Sequence, residues 1–145
     1  MSKVEDFLSK EEEQEIVKAI HIAEKNTSGE IRVHIEKSTS LDPYDRAKEV
    51  FHELRMDETE LQNGVLIYLA VEDKSFAICG DKGINDIVGH DFWDCTRDVM
   101  VAQFKQHQFK QGLVDGILRA GEQLKKHFPW QEGDTNELSN EISKG

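Results

Sequence analysis

Between two glycine-marked turns the chain reads Gly80-Asp81-Lys82-Gly83-Ile84-Asn85-Asp86, which sets the side-chain oxygens of Asp81, Asn85 and Asp86 close together along the backbone. Hard cations suit such donors: Ca²⁺ and Mg²⁺ bind carboxylate, amide and carbonyl oxygens, and glycines let neighbouring carbonyls turn inward as further ligands. The same residue types also cap turns, because Asp and Asn in glycine-rich loops accept bonds from nearby backbone amides. The loop alone leaves both uses open.

Distant ligands reach such a loop only if the fold brings them there. From Glu30 to Lys37 the sequence alternates strictly, with Ile31, Val33 and Ile35 on one face and Glu30, Arg32, His34 and Glu36 on the other, which predicts a half-buried strand. Asp42-Pro43 then starts a helix, with Asp as N-cap and Pro at the first helical position, and Tyr44, Ala47, Val50, Phe51 and Leu54 form its apolar stripe to about Arg55. After a polar stretch over 56–63, Gly64 opens the continuous apolar run Val65–Val71, the signature of a strand buried on both faces. A strand, a helix and a second strand in this order make a crossover with parallel strands. The starts of the two strands then lie side by side. Glu72-Asp73-Lys74 can turn the chain into Phe76–Cys79, which reads as an antiparallel partner or a short helix; a hairpin is the simpler reading and returns its end to the same edge. Glu30, Asn63, Asp81, Asn85 and Asp86 thereby gather at one end of the sheet as candidate ligands of Ca²⁺ or Mg²⁺.

The flanking segments are helical. Ser9 and Glu12 form a capping box, Glu11 to Glu13 sit at the positive dipole end, and Ile16, Val17, Ile20 and Ala23 recur at helical spacing until 26–29 ends the helix. Asp91 is placed to cap a helix carrying Phe92, Trp93, Val99, Met100 and Phe104. A last helix uses Leu113, Ile117, Leu118, Gly121, Leu124 and Phe128 and stops at Pro129. Gly116 and Gly121 each lower helix propensity by roughly 1 kcal/mol, which predicts close approach of a neighbouring element. The expected organisation is one domain over residues 1–129 and a flexible acidic tail over 130–145, where Glu132, Asp134, Glu137 and Glu141 outnumber Lys144.

Composition narrows the function classes. Eighteen Lys and Arg against 29 Asp and Glu leave a net charge of −11, which argues against nucleic acid as a partner. No stretch approaches the roughly 20 apolar residues of a membrane span, and the N-terminus lacks the apolar core of a secretory signal, so a cytoplasmic protein with no membrane partner is expected. Cys79 and Cys95, on a strand and a helix, read as core or semi-buried residues without metal-ligand spacing. Sharper templates are missing: there is no P-loop, G-x-S-x-G elbow, H-E-x-x-H or twelve-residue EF-hand loop. His34, on the polar strand face near Arg32 and Glu36, reads as a surface or ion-pairing residue rather than a base.

Several phrases, taken in order, resemble the TPM domain family, named after thylakoid-lumen, photosystem-repair and acetylcholine-receptor-modulating members. They are Phe7-Leu8-Ser9, Thr27-Ser28-Gly29-Glu30-Ile31, Asn63-Gly64-Val65-Leu66-Ile67, Gly80-Asp81-Lys82-Gly83-Ile84-Asn85, and Phe104 through Phe109 to Gly112-Leu113 and Gly116-Ile117; together they span residues 5–128. The resemblance implies an α/β/α sandwich, here with a small mixed sheet and about four packing helices. Some plant members of the family are described as acid phosphatases and other members bind Ca²⁺. Where the family loop often ends in Glu, this chain has Asn85, followed by Asp86.

Three functions follow as expectations: a cytosolic TPM-type accessory domain that binds a divalent cation at the sheet end; a metal-assisted phosphatase acting on phosphomonoesters; and an interaction protein that engages a basic protein partner through its acidic tail or through Trp93 or Trp130.

Overall fold

The first helix, α1 (Lys10–Glu24), starts where the capping box is satisfied: Ser9 Oγ accepts from the Glu12 amide at 3.1 Å and Glu12 Oε1 accepts from the Ser9 amide at 3.0 Å. The computed structural model describes residues 7–25, 27–59, 62–89, 91–130 and 142–144. After α1 come β1 (Glu30–Glu36), α2 (Pro43–Glu53), a 3-10 turn (Met56–Glu58), β2 (Gly64–Ala70) and β3 (Ser75–Gly80). A short α3 (Lys82–Asn85), then α4 (Asp94–Phe104), α5 (Phe109–His127) and β4 (Ser143–Lys144) complete the described order.

The sheet order is β3-β2-β1-β4. β1 and β2 pair in parallel from Glu30↔Gly64 to Glu36↔Ala70, and β3 returns antiparallel from Ala70↔Ser75 to Val65↔Gly80. Helices cover both faces, which makes the expected α/β/α sandwich with a mixed sheet, built with five helices among the described residues. On one face Ile31, Val33 and Ile35 of β1 and Val65, Ile67 and Leu69 of β2 pack with residues of α1, α4 and α5. On the other, Leu66, Tyr68, Ala77 and Cys79 meet Ala47, Val50 and Phe51 of α2 and Met56 of the 3-10 turn. Every residue of β2 is buried, as its unbroken apolar run requires.

Gly116 and Gly121 mark close approach, as their sequence positions anticipated. A Cβ at Gly121 would stand 2.7 Å from Ala23 Cβ and 2.9 Å from its Cα, so α5 meets the backbone of α1. A Cβ at Gly116 would stand 2.5 Å from the sulfur of Met100 on α4.

Four expectations are corrected. The polar face of β1 is not solvated: Glu30, His34 and Glu36 are 4–6% exposed, with His34 bonded to Ser143 of β4 and Glu36 to Arg46 of α2. Tyr44 stands 41% exposed at the first turn of α2 rather than in its buried stripe. Asp91 does not cap a helix; residues 91–93 form a turn, and α4 begins at Asp94 with Trp93 at the N-cap position. Cys95 is exposed, within 3 Å of the Arg119 guanidinium at 2.7 Å, whereas Cys79 is buried and its thiol is pushed up to about 11 by that burial. Of the segment expected as a tail, residues 142–144 are described; Ser143 and Lys144 pair in parallel with His34 and Ile35 of β1. Residues 131–141 lie outside the described set.

Burial of the β1 polar face is possible because Glu36 is surrounded by donors. Arg46 on α2 donates to both of its oxygens, at 2.8 and 3.1 Å, His34 Nε2 lies 3.1 Å from Oε1, and the Tyr68 hydroxyl donates to Oε2. Burial acts to raise its pKa, yet the bonds from Arg46, Tyr68 and His34 prevail and hold the carboxyl down at about 2. Since the folded-state value lies below the ordinary 4.5, this group stabilises the fold fully above that pH and loses its contribution as pH falls through about 2. Glu36→Gln should therefore cost about 3–5 kcal/mol near neutrality, the penalty for breaking a buried pair, with the deficit shrinking in acid as the native carboxylate protonates. Urea unfolding of both proteins across a pH series checks this, and a pH-independent deficit would contradict it.

Candidate functional site

The parallel pairing of β1 with β2 sets the starts of both strands together, and β3 ends beside them. The Glu30 amide donates to the Asn63 carbonyl at 3.3 Å, and the Asp81 amide donates to the Gly64 carbonyl at 2.9 Å. Glu30, Asn63 and Asp81 thus join through three adjacent strand ends, as the topology argument required. All three are buried, at 4%, 1% and 8% exposure. Asn63 Nδ2 lies 3.4 Å from Ser28 Oγ, in the turn that leads into β1.

Asp81 is the N-cap of α3. Its Oδ1 accepts from the Lys82 amide at 2.7 Å, and its carbonyl accepts from the amides of Ile84 and Asn85, both at 3.0 Å. Its other carboxylate oxygen, Oδ2, is buried and has no hydrogen-bond partner among the described residues. Burial pushes the Asp81 carboxyl above its ordinary value, the Lys82 amide pulls it back, and the nearby charge of Asp57 pushes it up again. Asn85 donates from Nδ2 to the Gly80 carbonyl at 3.0 Å, which leaves its Oδ1 beside Gly80. Asp86, at the opposite end of the turn, is exposed. The structure therefore brings Glu30, Asn63 and Asp81 together at the sheet end, sets Asn85 over the last residue of β3, and leaves Asp86 in solvent. Among the described residues no three His, Cys, Asp or Glu side chains are grouped as a metal site.

Sequence reasoning passed over the 3-10 turn. Met56 is fully buried and anchors it, and the turn carries Asp57, whose charge reaches Asp81. The Asp57 carboxylate pairs with His52 Nδ1 at 2.9 Å. Thr59, next along the chain, holds a second buried oxygen without a hydrogen-bond partner. A buried Met amid charged residues was the available signal, although the surrounding polarity reads as an ordinary loop.

A cleft of about 770 Å³ opens beside this site, between the start of α2, β3 and the α3–α4 connection. Gly80 and Asn85 line its near side, with Tyr44, Trp93 and Arg97 around it. The missing side chain at Gly80 makes room there: a Cβ would lie 3.5 Å from both Asn85 Oδ1 and Trp93 Nε1. The indole N–H of Trp93 is buried and has no partner among the described residues.

A family profile described as TPM domain matches residues 1–123. Among solved structures, the NMR structure of the BA42 protein from the psychrophilic bacterium Bizionia argentinensis is 66% identical, covers 100% of each chain and superposes with a TM-score of 0.92. The N-terminal domain of a protein from P. gingivalis shares the fold at 17% identity, over 84% of this chain and 79% of that one, with a TM-score of 0.69. The N-terminal domain of the cg2496 protein from Corynebacterium glutamicum does so at 14% identity, over 91% and 81%, with a TM-score of 0.65. Comparison with curated proteins finds no match. No described helix is long and apolar enough to cross a membrane.

The carboxyl of Asp81 supplies a test of this geometry that needs no ligand. With its folded-state value raised above the ordinary 3.8, the group favours the fold below that pH and loses this contribution as pH rises through its folded value. Asp81→Asn keeps an acceptor for the Lys82 amide and removes the charge, so the stability of the variant relative to the native chain should increase as pH rises above that range. Urea unfolding in chelator measures the difference; a gap that stays constant from acid to neutral pH would mean that the carboxylate is well solvated.

Proposed function

The chain belongs to the TPM domain family, and on that premise we propose that it is a divalent-cation-binding domain whose anchor is Asp81. The observation that carries the reading is the buried, unpartnered Oδ2 of that residue. A desolvated carboxylate oxygen without a donor costs free energy, and a bound cation is one way to offset it. The surrounding donors are all oxygens, which fits a hard ion: the Asp81 carboxylate, the amides of Asn63 and Asn85, and the carboxylates of Glu30 and Asp86 are the candidate ligands. With no compact carboxylate cage among the described residues, the donor set fits an ion that keeps several waters, the habit of Mg²⁺, better than a fully protein-ligated Ca²⁺. A cation bound here would supply positive charge for Asp81 and Lewis acidity toward an oxygen ligand in the adjoining cleft.

Metal-stripped protein should melt about 5 °C higher when Mg²⁺ or Ca²⁺ is added at roughly tenfold its dissociation constant, because an ion that binds only the native state stabilises it by mass action. Asp81→Ala should abolish that rise while still folding without metal. An undiminished rise in the variant would exclude Asp81 as the anchor.

The neighbouring cleft favours a second reading, hydrolysis of phosphomonoesters. Arg97 on α4 and the unpartnered indole N–H of Trp93 both face that cleft and are donors suited to phosphoryl oxygens. At a net charge of −11 the domain repels phosphate anions, so binding would depend on local positive charge. Under this reading Arg97→Met raises KM by about tenfold or more, the loss of one charge-assisted contact. Phosphate release from a panel of phosphomonoesters in the presence of Mg²⁺, Mn²⁺ or Ca²⁺ measures it, and no release at acidic or neutral pH would reject hydrolysis while leaving cation binding intact.

A further inference from the structure

At the end of the sheet opposite Asp81, a second cavity, of about 350 Å³, lies between the β2–β3 hairpin and the α4–α5 connection. Its wall is aromatic and interlocked. Phe76 of β3 meets Phe104 of α4 edge-on with ring centroids 5.1 Å apart, Phe104 lies 5.6 Å from Phe109 of α5, and Phe109 lies 5.1 Å from Phe7. Rings that hold one another form a wall without a ligand, so binding there would not have to order it. Leu69 and Val101 extend the apolar lining.

The lining also includes three exposed cationic or N–H-bearing side chains, Lys74, Lys105 and His107. They come from separate bends: Lys74 sits at φ 53° in the β2–β3 turn and His107 at φ 60° in the α4–α5 turn, with Lys105 at the end of α4. Favourable interaction with the negative end of a helix accounts for Lys105. It does not account for Lys74, which belongs to a hairpin. Neither lysine forms an ion pair among the described residues, in a chain that carries 29 acidic side chains. An apolar chamber edged by ammonium groups that are unpaired among the described residues matches a ligand with an apolar body and one anionic end.

We propose that this cavity binds a small hydrophobic carboxylate, with the aliphatic or aryl body among Phe76, Phe104 and Phe109 and the carboxylate beside Lys74 and Lys105. A single negative charge suits the site because the domain field at −11 repels a dianion more strongly than a monoanion. The cavity is separate from the Asp81 end, so the inference stands independently of cation binding.

Methyl NMR titration of the full chain in chelator tests it, with octanoate and 3-phenylpropionate as probes and octanol and acetate as controls. Octanoate or 3-phenylpropionate should shift the methyl signals of Leu69, Val71 and Val101 and saturate; their relative affinities distinguish an acyl from an aryl body. Octanol, which lacks the charge, should bind roughly tenfold more weakly, and acetate, which lacks the apolar body, should not saturate. Lys74→Glu combined with Lys105→Glu should weaken octanoate by roughly tenfold or more and leave octanol unchanged. Asp81→Ala should leave octanoate affinity as it is. The proposal is overturned if neither carboxylate saturates these signals, which would make the cavity a packing gap, if octanol binds as tightly as octanoate, or if the double variant, folded by its amide spectrum, binds octanoate as the native chain does.

Discussion

A carboxylate buried between a sheet and a helix is tolerated only when donors surround it, and Glu36 meets that condition with groups from three elements. Arg46 fixes α2 over β1, Tyr68 ties the neighbouring β2 to the same oxygens, and His34 carries the network to Ser143 on the edge strand through a 2.9 Å contact. Once α2 is held in this way, the path of the crossover is constrained. The chain must return through the 3-10 turn to Asn63 and begin β2 beside the start of β1. The register Glu30↔Gly64 is the outcome, and the positions of Asn63 and Asp81 follow from it. A pair buried near one end of the strands thus helps to set the geometry at the other end.

The two faces of the sheet solve different packing problems. Over α2 the layer is thin and partly polar, so orientation comes from directional bonds. Over α1, α4 and α5 the layer is apolar and is brought close by small residues: Gly121 lets α5 reach the backbone of α1, and Gly116 admits the side chain of Met100. Hydrophobic packing of this kind is non-directional, and the space beside the α4–α5 turn is lined by large rings. The same layer holds close helix contacts at Gly112, Gly116 and Gly121 and an aromatic cavity beside the α4–α5 turn.

Much of this architecture was legible from short-range rules. Ser9 with Glu12, Asp42 with Pro43, the apolar run of β2 and the turn before β3 each specify an element by local chemistry, and parallel crossover topology then assembles three strand ends at Asp81. The failures share a cause. Alternation in β1 reports that Glu30, His34 and Glu36 share a face, but whether water or Arg46 and Tyr68 satisfy Glu36 depends on contacts ten and more residues away. Asp91 has the right residue type for a cap, yet the turn at 91–93 moves the helix start to Asp94, and a cap residue displaced by three positions has no helix amide to serve. Of the ligand candidates, Glu30, Asn63 and Asp81 follow directly from strand register, whereas Asn85 and Asp86 depend on the local winding of α3, which sends one toward Gly80 and the other to solvent. The 3-10 turn escaped notice because its role arises only from tertiary packing.

Asp81 and Glu36 are both buried carboxylates of the same sheet, and comparing them separates what holds this fold from what it leaves poised. Glu36 is bonded through both oxygens, and its carboxyl falls to about 2 despite burial. Asp81 is bonded through one oxygen only, and burial raises its carboxyl above the ordinary value. A similar loss of solvent thus yields opposite shifts, and the number of donors decides the sign. Glu36 needs nothing further, so its environment is sufficiently explained by stability. Asp81 keeps an acceptor that the described protein groups do not satisfy. A buried acceptor left without a donor is costly as architecture, and that cost separates Asp81 from Glu36, whose oxygens are both bonded.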